Sequence, residues 1–172
     1  VVGGMGNKGP KSEFTGIQFS RDALYGTPAQ LFMSRDNEPE VAIPRAEKER
    51  WAGIEVADGT NRAFVTVYDE PPKTTNGVPG DPHPYWWPMC LVEMTLPMPD
   101  QPLSNYTLRT VWTCPTRDEV KNGDLIPMYI DSTWDGRYLS VYSRIYNADT
   151  NAAERRVTCI FDVAQGRWLN PP

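Results

Sequence analysis

Apolar and polar residues alternate in short runs along most of this chain, and no run keeps a helical period for long. Arg62 to Tyr68 is the clearest case. Ala63, Val65 and Val67 alternate with Phe64, Thr66 and Tyr68. Both faces are therefore largely apolar, the pattern of a strand lying between two layers. Trp51 to Val56 precedes it, and Asp58-Gly59 marks the turn between them. Met89 to Leu96 alternates again and is stopped by Pro97 and Pro99. Tyr106 to Thr113 forms the next run. Leu125 to Ser132 and Arg137 to Tyr146 flank Trp134-Asp135-Gly136, the strongest hairpin signal in the chain. Leu139, Val141 and Ile145 form the expected core face of the second arm, and Tyr138, Tyr142 and Tyr146 its other face. Arg156 to Val163 and Arg167 to Leu169 follow, after shorter runs at Phe14 to Phe19 and Gln30 to Ser34.

Helical signals are brief. Ser20 and Gly26 bracket one possible turn. Pro44 to Arg50 tolerates helix but is too short to stand alone. Thr116-Arg117-Asp118-Glu119 is a capping-box pattern, with Gly123 as the stop. The fold class expected is all-β: an antiparallel β-sandwich or β-barrel with long loops and one or two short helical turns. No repeat period is sustained, and the chain is short for a closed propeller. The start, Val1-Val2-Gly3-Gly4, has neither an initiator methionine nor a signal-peptide pattern. Residues 1–13 are expected to be a flexible linker from a longer parent chain, and residues 14–172 a single β domain.

Composition narrows the function classes. Of 172 residues, 40% are hydrophobic and 23% charged, enough for a core without staples. Lys plus Arg is 17 against 22 Asp plus Glu, and no basic stretch is longer than Arg155-Arg156. That footprint argues against a nucleic-acid partner. No apolar run approaches the roughly 20 residues of a membrane helix, so no membrane insertion is expected. Cys90, Cys114 and Cys159 have neither an even count nor a zinc-type spacing and are expected to be small thiols buried in strands, as in a reducing compartment. His83 is the only histidine, held in the extended Asp81-Pro82-His83-Pro84 segment. A multi-histidine metal site is therefore excluded.

Asp131-Ser132-Thr133-Trp134-Asp135-Gly136 opens like a calcium loop, but its twelfth position is Tyr142 where a bidentate Glu belongs. A plain Asp-Gly hairpin explains the same residues. Glu93 interrupts an apolar strand and is the best single carboxylate for an acid–base role. It serves equally well as an ion-pair partner for Arg109 or Arg144. No catalytic residue, metal or cofactor is assigned. Asn105-Tyr106-Thr107 matches a glycosylation sequon and is taken as accidental.

The aromatics carry the recognition argument. Trp51, Trp112 and Trp168 are expected in the core. Asp69 to Pro84 is a proline-rich loop without periodicity, and Tyr85-Trp86-Trp87 follows at once. Trp134 sits at a hairpin tip. The ligand-binding residues expected are His83, Tyr85, Trp86, Trp87 and Trp134, forming a stacking surface for sugar, peptide or protein. The function expected is a non-enzymatic recognition or structural domain excised from a larger polypeptide. A projecting or spike-type domain of a viral capsid fits these features together. Its partners would be a host receptor protein or glycan and further copies of itself, forming a homo-oligomer. It would lie at the virion surface after cytoplasmic synthesis. The alternatives are a carbohydrate-binding module and a small-molecule-binding or enzymatic β-barrel built on buried carboxylates.

Overall fold

A computed structural model describes residues 7–21, 30–44, 49–69, 87–150 and 152–170. Twelve strands fall into three four-stranded antiparallel sheets, and each sheet is a meander whose spatial order equals its chain order. The first sheet holds β1 (Asn7–Lys11), β2 (Gln18–Arg21), β3 (Leu31–Ser34) and β4 (Val41–Ala42). The second holds β5 (Glu49–Val56), β6 (Arg62–Asp69), β7 (Trp87–Thr95) and β8 (Thr107–Thr113). The third holds β9 (Leu125–Thr133), β10 (Tyr138–Asn147), β11 (Ala152–Asp162) and β12 (Arg167–Trp168).

The two-faced pattern of β6 places the second sheet in the middle. Ala63, Val65 and Val67 face the first sheet and join one core with Phe19, Leu31 and Met33. Phe64 faces the third sheet and joins another with Leu91, Leu139, Val141 and Phe161. Fully burying a side chain such as Phe64 contributes about 1.5–3 kcal/mol of transfer free energy. The sheets stack in sandwich fashion, and their first strands also approach one another. β1 packs against β5, and β5 and β6 pack against β9.

The expected all-β architecture is thus present, with no helix among the described residues. Thr116 and Glu119 do form the capping box. The Thr116 Oγ1 and N donate to the Glu119 carboxylate at 2.8 and 3.2 Å. Burial is too slight there to extend a single turn into a helix. Within the stretch read as linker, Asn7–Lys11 pairs with β2. Backbone bonding to a neighbour forms that strand, and its sequence, Asn7-Lys8-Gly9-Pro10-Lys11, has no apolar alternation to reveal it. Residues 22–26 of the expected helical turn and residues 70–84 of the proline-rich loop lie outside the described residues.

The expected face pattern of β10 holds for Leu139 and Val141, which are fully buried, and breaks at its far end. Tyr146 is buried against Trp87 and Ile126, and Ile145 is only half-buried. Pairing with β11 shifts register between these two residues, and Trp87 and Ile126 offer Tyr146 an apolar seat.

Candidate recognition site

The β9–β10 hairpin is built by its turn. The Asp135 Oδ1 accepts the Arg137 N–H at 2.9 Å, closing an Asx turn. Gly136 follows in the left-handed region at φ 78°. A Cβ there would lie 2.8 Å from the Arg62 Nη1 and 3.3 Å from the Ala57 Cβ. Glycine is needed twice over, for the backbone angle and for the close approach.

Arg62 is itself held. Its Nε donates to the Glu93 Oε1, and its guanidinium lies 5.2 Å from the Phe64 ring centre. The Arg109 Nε donates to the Glu93 Oε2 at 2.9 Å, and its Nη2 reaches the same oxygen. Register explains the set, because Phe64 pairs with Glu93 and Glu93 with Arg109 across three strands. Glu93 is buried, and both its oxygens are taken by guanidinium donors. It fixes the arginine against which the hairpin turn packs at Gly136. Arg109, one of the two partners named from sequence, is found there. Arg144 instead donates to the Ala153 carbonyl at 3.3 Å. Arg62 was missed, because only the antiparallel register brings it beside Glu93.

Trp134 stands on this tethered tip with 56% of its surface exposed. Asp135 and Arg137 beside it are exposed and polar. Arg137 lies over the Tyr138 ring at 4.8 Å and reaches the Asp162 Oδ2 at 3.6 Å. The calcium-loop pattern is not gathered into a loop, since Asp131 to Thr133 belong to β9. Among the described residues no group of three or more His, Cys, Asp or Glu is placed to hold a metal ion.

Trp87 has a different setting. Only 7% of it is exposed. Its Nε1 donates to the Pro115 carbonyl at 2.9 Å, Tyr146 meets it edge-to-face at 6.4 Å, and Arg117 covers it at 5.6 Å. The structure therefore does not bring Trp87 and Trp134 into one surface. His83, Tyr85 and Trp86 lie outside the described residues. Trp51 is buried in the first core, and Trp112 and Trp168 meet edge-to-face at 5.4 Å beside the second.

Tyr129 and Tyr142 form an aromatic pair that the sequence did not reveal. They are cross-strand partners with rings stacked at 4.8 Å and 17°. Tyr129 is 43% exposed. Register shifts on either side of this pair, at Met128 and Asp131, set which residues meet. Alternation alone does not fix that.

The other titratable groups divide by burial. Burial pushes the Cys114 and Cys159 thiols above their ordinary value, with Cys90 adding to the effect at Cys114. Burial likewise raises the Tyr68 hydroxyl. Glu55 on β5 is raised by burial and then by Asp131 on β9. In comparisons with known proteins, no family model, no curated protein and no solved structure matches this chain.

Proposed function

We propose that this protein is a non-enzymatic recognition domain that binds its ligand at the β9–β10 tip, with Trp134 as the anchor. The observation that carries this reading is an exposed indole on a tip held through Gly136, Arg62, Glu93 and Arg109. A large ring presented rigidly loses little conformational entropy on binding. Polar Asp135 and Arg137 at its rim suit a glycan, whose apolar ring faces stack on indole while its hydroxyls take hydrogen bonds. The buried carboxylate suited to acid–base chemistry spends both oxygens on arginine, which favours binding over catalysis.

The setting we propose is a projecting or spike-type domain of a viral capsid that engages a host receptor protein or glycan. The three cysteines and the absence of a basic patch support it, as does the loop-rich β architecture. The test is a glycan array and a receptor-binding screen with the parent and Trp134→Ala. Binding that falls by about 2 kcal/mol or more, with unchanged thermal stability, is the expected result. Equal binding by the two proteins would remove Trp134 from the site.

A further inference from the structure

The loop before β9 is stitched to the far end of β10. The Gly123 N–H donates to the Tyr146 carbonyl at 2.8 Å, and the Tyr146 N–H donates to the Asp124 carbonyl at 2.9 Å. The Asn122 Oδ1 accepts the Ala148 N–H at 3.0 Å. Between the clamped loop and the β10–β11 hairpin lies a cleft of about 310 Å³, lined by Asn122, Gly123, Ile145, Tyr146, Asn147 and Arg155. Small-molecule pockets begin at roughly 300 Å³. A Cβ on Gly123 would meet nothing within 4 Å, so the loop backbone stands open to a ligand.

The strand beside the cleft is irregular. Ile145 pairs with Arg155 and Tyr146 with Ala153, which leaves Glu154 without a cross-strand partner. A bulge of this kind bends its strand and re-aims the neighbouring side chains, and bulges recur beside functional sites. Arg155 stands next to it. It is exposed, and its guanidinium makes no ion pair or hydrogen bond among the described residues. It is also the one charged side chain in the lining. Asp124, on the same loop as Asn122, spends its Oδ2 on the Lys121 N–H at 2.7 Å. Asn122 uses its Oδ1 on Ala148, and its Nδ2 makes no hydrogen bond among the described residues. Half-buried Ile145 adds an apolar wall.

We propose that this cleft binds a small hydroxylated carboxylate, about the size of one sugar acid. The Arg155 guanidinium takes the carboxylate, since its planar fork matches two carboxylate oxygens. The Asn122 Nδ2 donates to a ligand hydroxyl, and Ile145 packs on the apolar side of the ligand. A free acid and the acidic end of a glycan present the same chemistry here. The cleft is separate from Trp134. β10 runs ten residues from Tyr138, beside the tip, to Asn147 in the cleft. At about 3.3 Å per residue that is roughly 30 Å.

Titration of the full chain with glucuronate, followed by amide chemical shifts, tests this. The Gly123, Asn147 and Ala148 signals should move and saturate, and glucose, which lacks the carboxylate, should leave them still. Arg155→Ala should weaken glucuronate binding at least tenfold while the spectrum keeps its dispersion, because the side chain is exposed. Arg155→Lys, which keeps the charge without the fork, should fall between the two. Trp134→Ala should bind glucuronate as the parent does, so a failure at the tip and a failure here are told apart. An oligosaccharide ending in glucuronate should bind at least as well as the free acid. Tighter binding marks a glycan end as the ligand, and equal binding marks the free acid. Three results would overturn the proposal: no saturable shift, equal shifts with inorganic phosphate, or undiminished binding by Arg155→Ala.

Discussion

The Nη1 of Arg62 lies 2.8 Å from the point where a Cβ on Gly136 would stand. One arginine thereby joins three things: the hairpin tip, the Phe64 ring and the Glu93 carboxylate. Gly136→Ala should cost about 1–2 kcal/mol for its left-handed backbone and about 1–3 kcal/mol more for displacing Arg62. Gly123→Ala is the control, since φ is 89° there but nothing lies within 4 Å. It should show the first cost alone. Chemical denaturation of both variants measures the difference, and equal losses would mean that Arg62 yields freely.

Removal of Glu93 should hurt more than removal of either arginine's outer contacts. Glu93→Gln leaves the partly buried Arg62 without its charge partner and should cost about 1–3 kcal/mol. Arg109→Ala should cost under about 1 kcal/mol, because the Arg109 side chain is largely exposed and its ion pair is screened. A double-mutant cycle on denaturation midpoints reads the coupling directly.

The two described tryptophans of the sequence-derived site should separate cleanly. Trp87→Ala removes a buried ring and its Pro115 hydrogen bond and should cost about 3–5 kcal/mol of stability. Trp134→Ala should stay within about 0.5 kcal/mol of the parent. Thermal unfolding followed by near-ultraviolet circular dichroism distinguishes them.

Glu55 should make the fold prefer mild acid locally. Its folded pKa is raised above 4.5 by burial and by Asp131. The folded state therefore binds the proton more tightly than the unfolded chain, and this stabilisation is full below 4.5 and is lost as pH rises through the folded value. Glu55→Gln should raise the melting temperature at neutral pH. The gain should vanish below the ordinary carboxylate value, where both forms are uncharged. A gain that persists in acid would point to packing instead.

The thiols give a further test of burial. Cys114 and Cys159 are buried and burial raises both, so neither should react with a thiol reagent until the chain unfolds. Mass spectrometry after native and denatured labelling reads each site.

Much of the architecture was legible because burial leaves a period. The double apolar face of Ala63 to Tyr68 predicted a strand between layers, and Asp135-Gly136 predicted the β9–β10 hairpin. What escaped depends on partners far away in sequence. Arg62 meets Glu93 only through the register of β6 on β7. Tyr129 meets Tyr142 only after two bulges that leave no mark in composition. Trp87 was counted among the ligand-binding residues because the sequence does not show Tyr146 and Arg117 folding over it. The β1 strand escaped for the opposite reason: backbone bonding made it, in a segment whose side chains say little.

The middle sheet is also the middle of the chain, and this sets an order of assembly. During synthesis the first two sheets can meet and seal Val65 and Val67 before β9 exists. Phe64 and Leu91 then wait on a bare surface until the last quarter of the polypeptide arrives to cover them. In that interval the nascent chain is sticky on one side only, and any premature stop between β8 and β9 leaves it so permanently. The third sheet is thus the cover for that surface, and the exposed Trp134 is carried in on the same piece of chain that closes it.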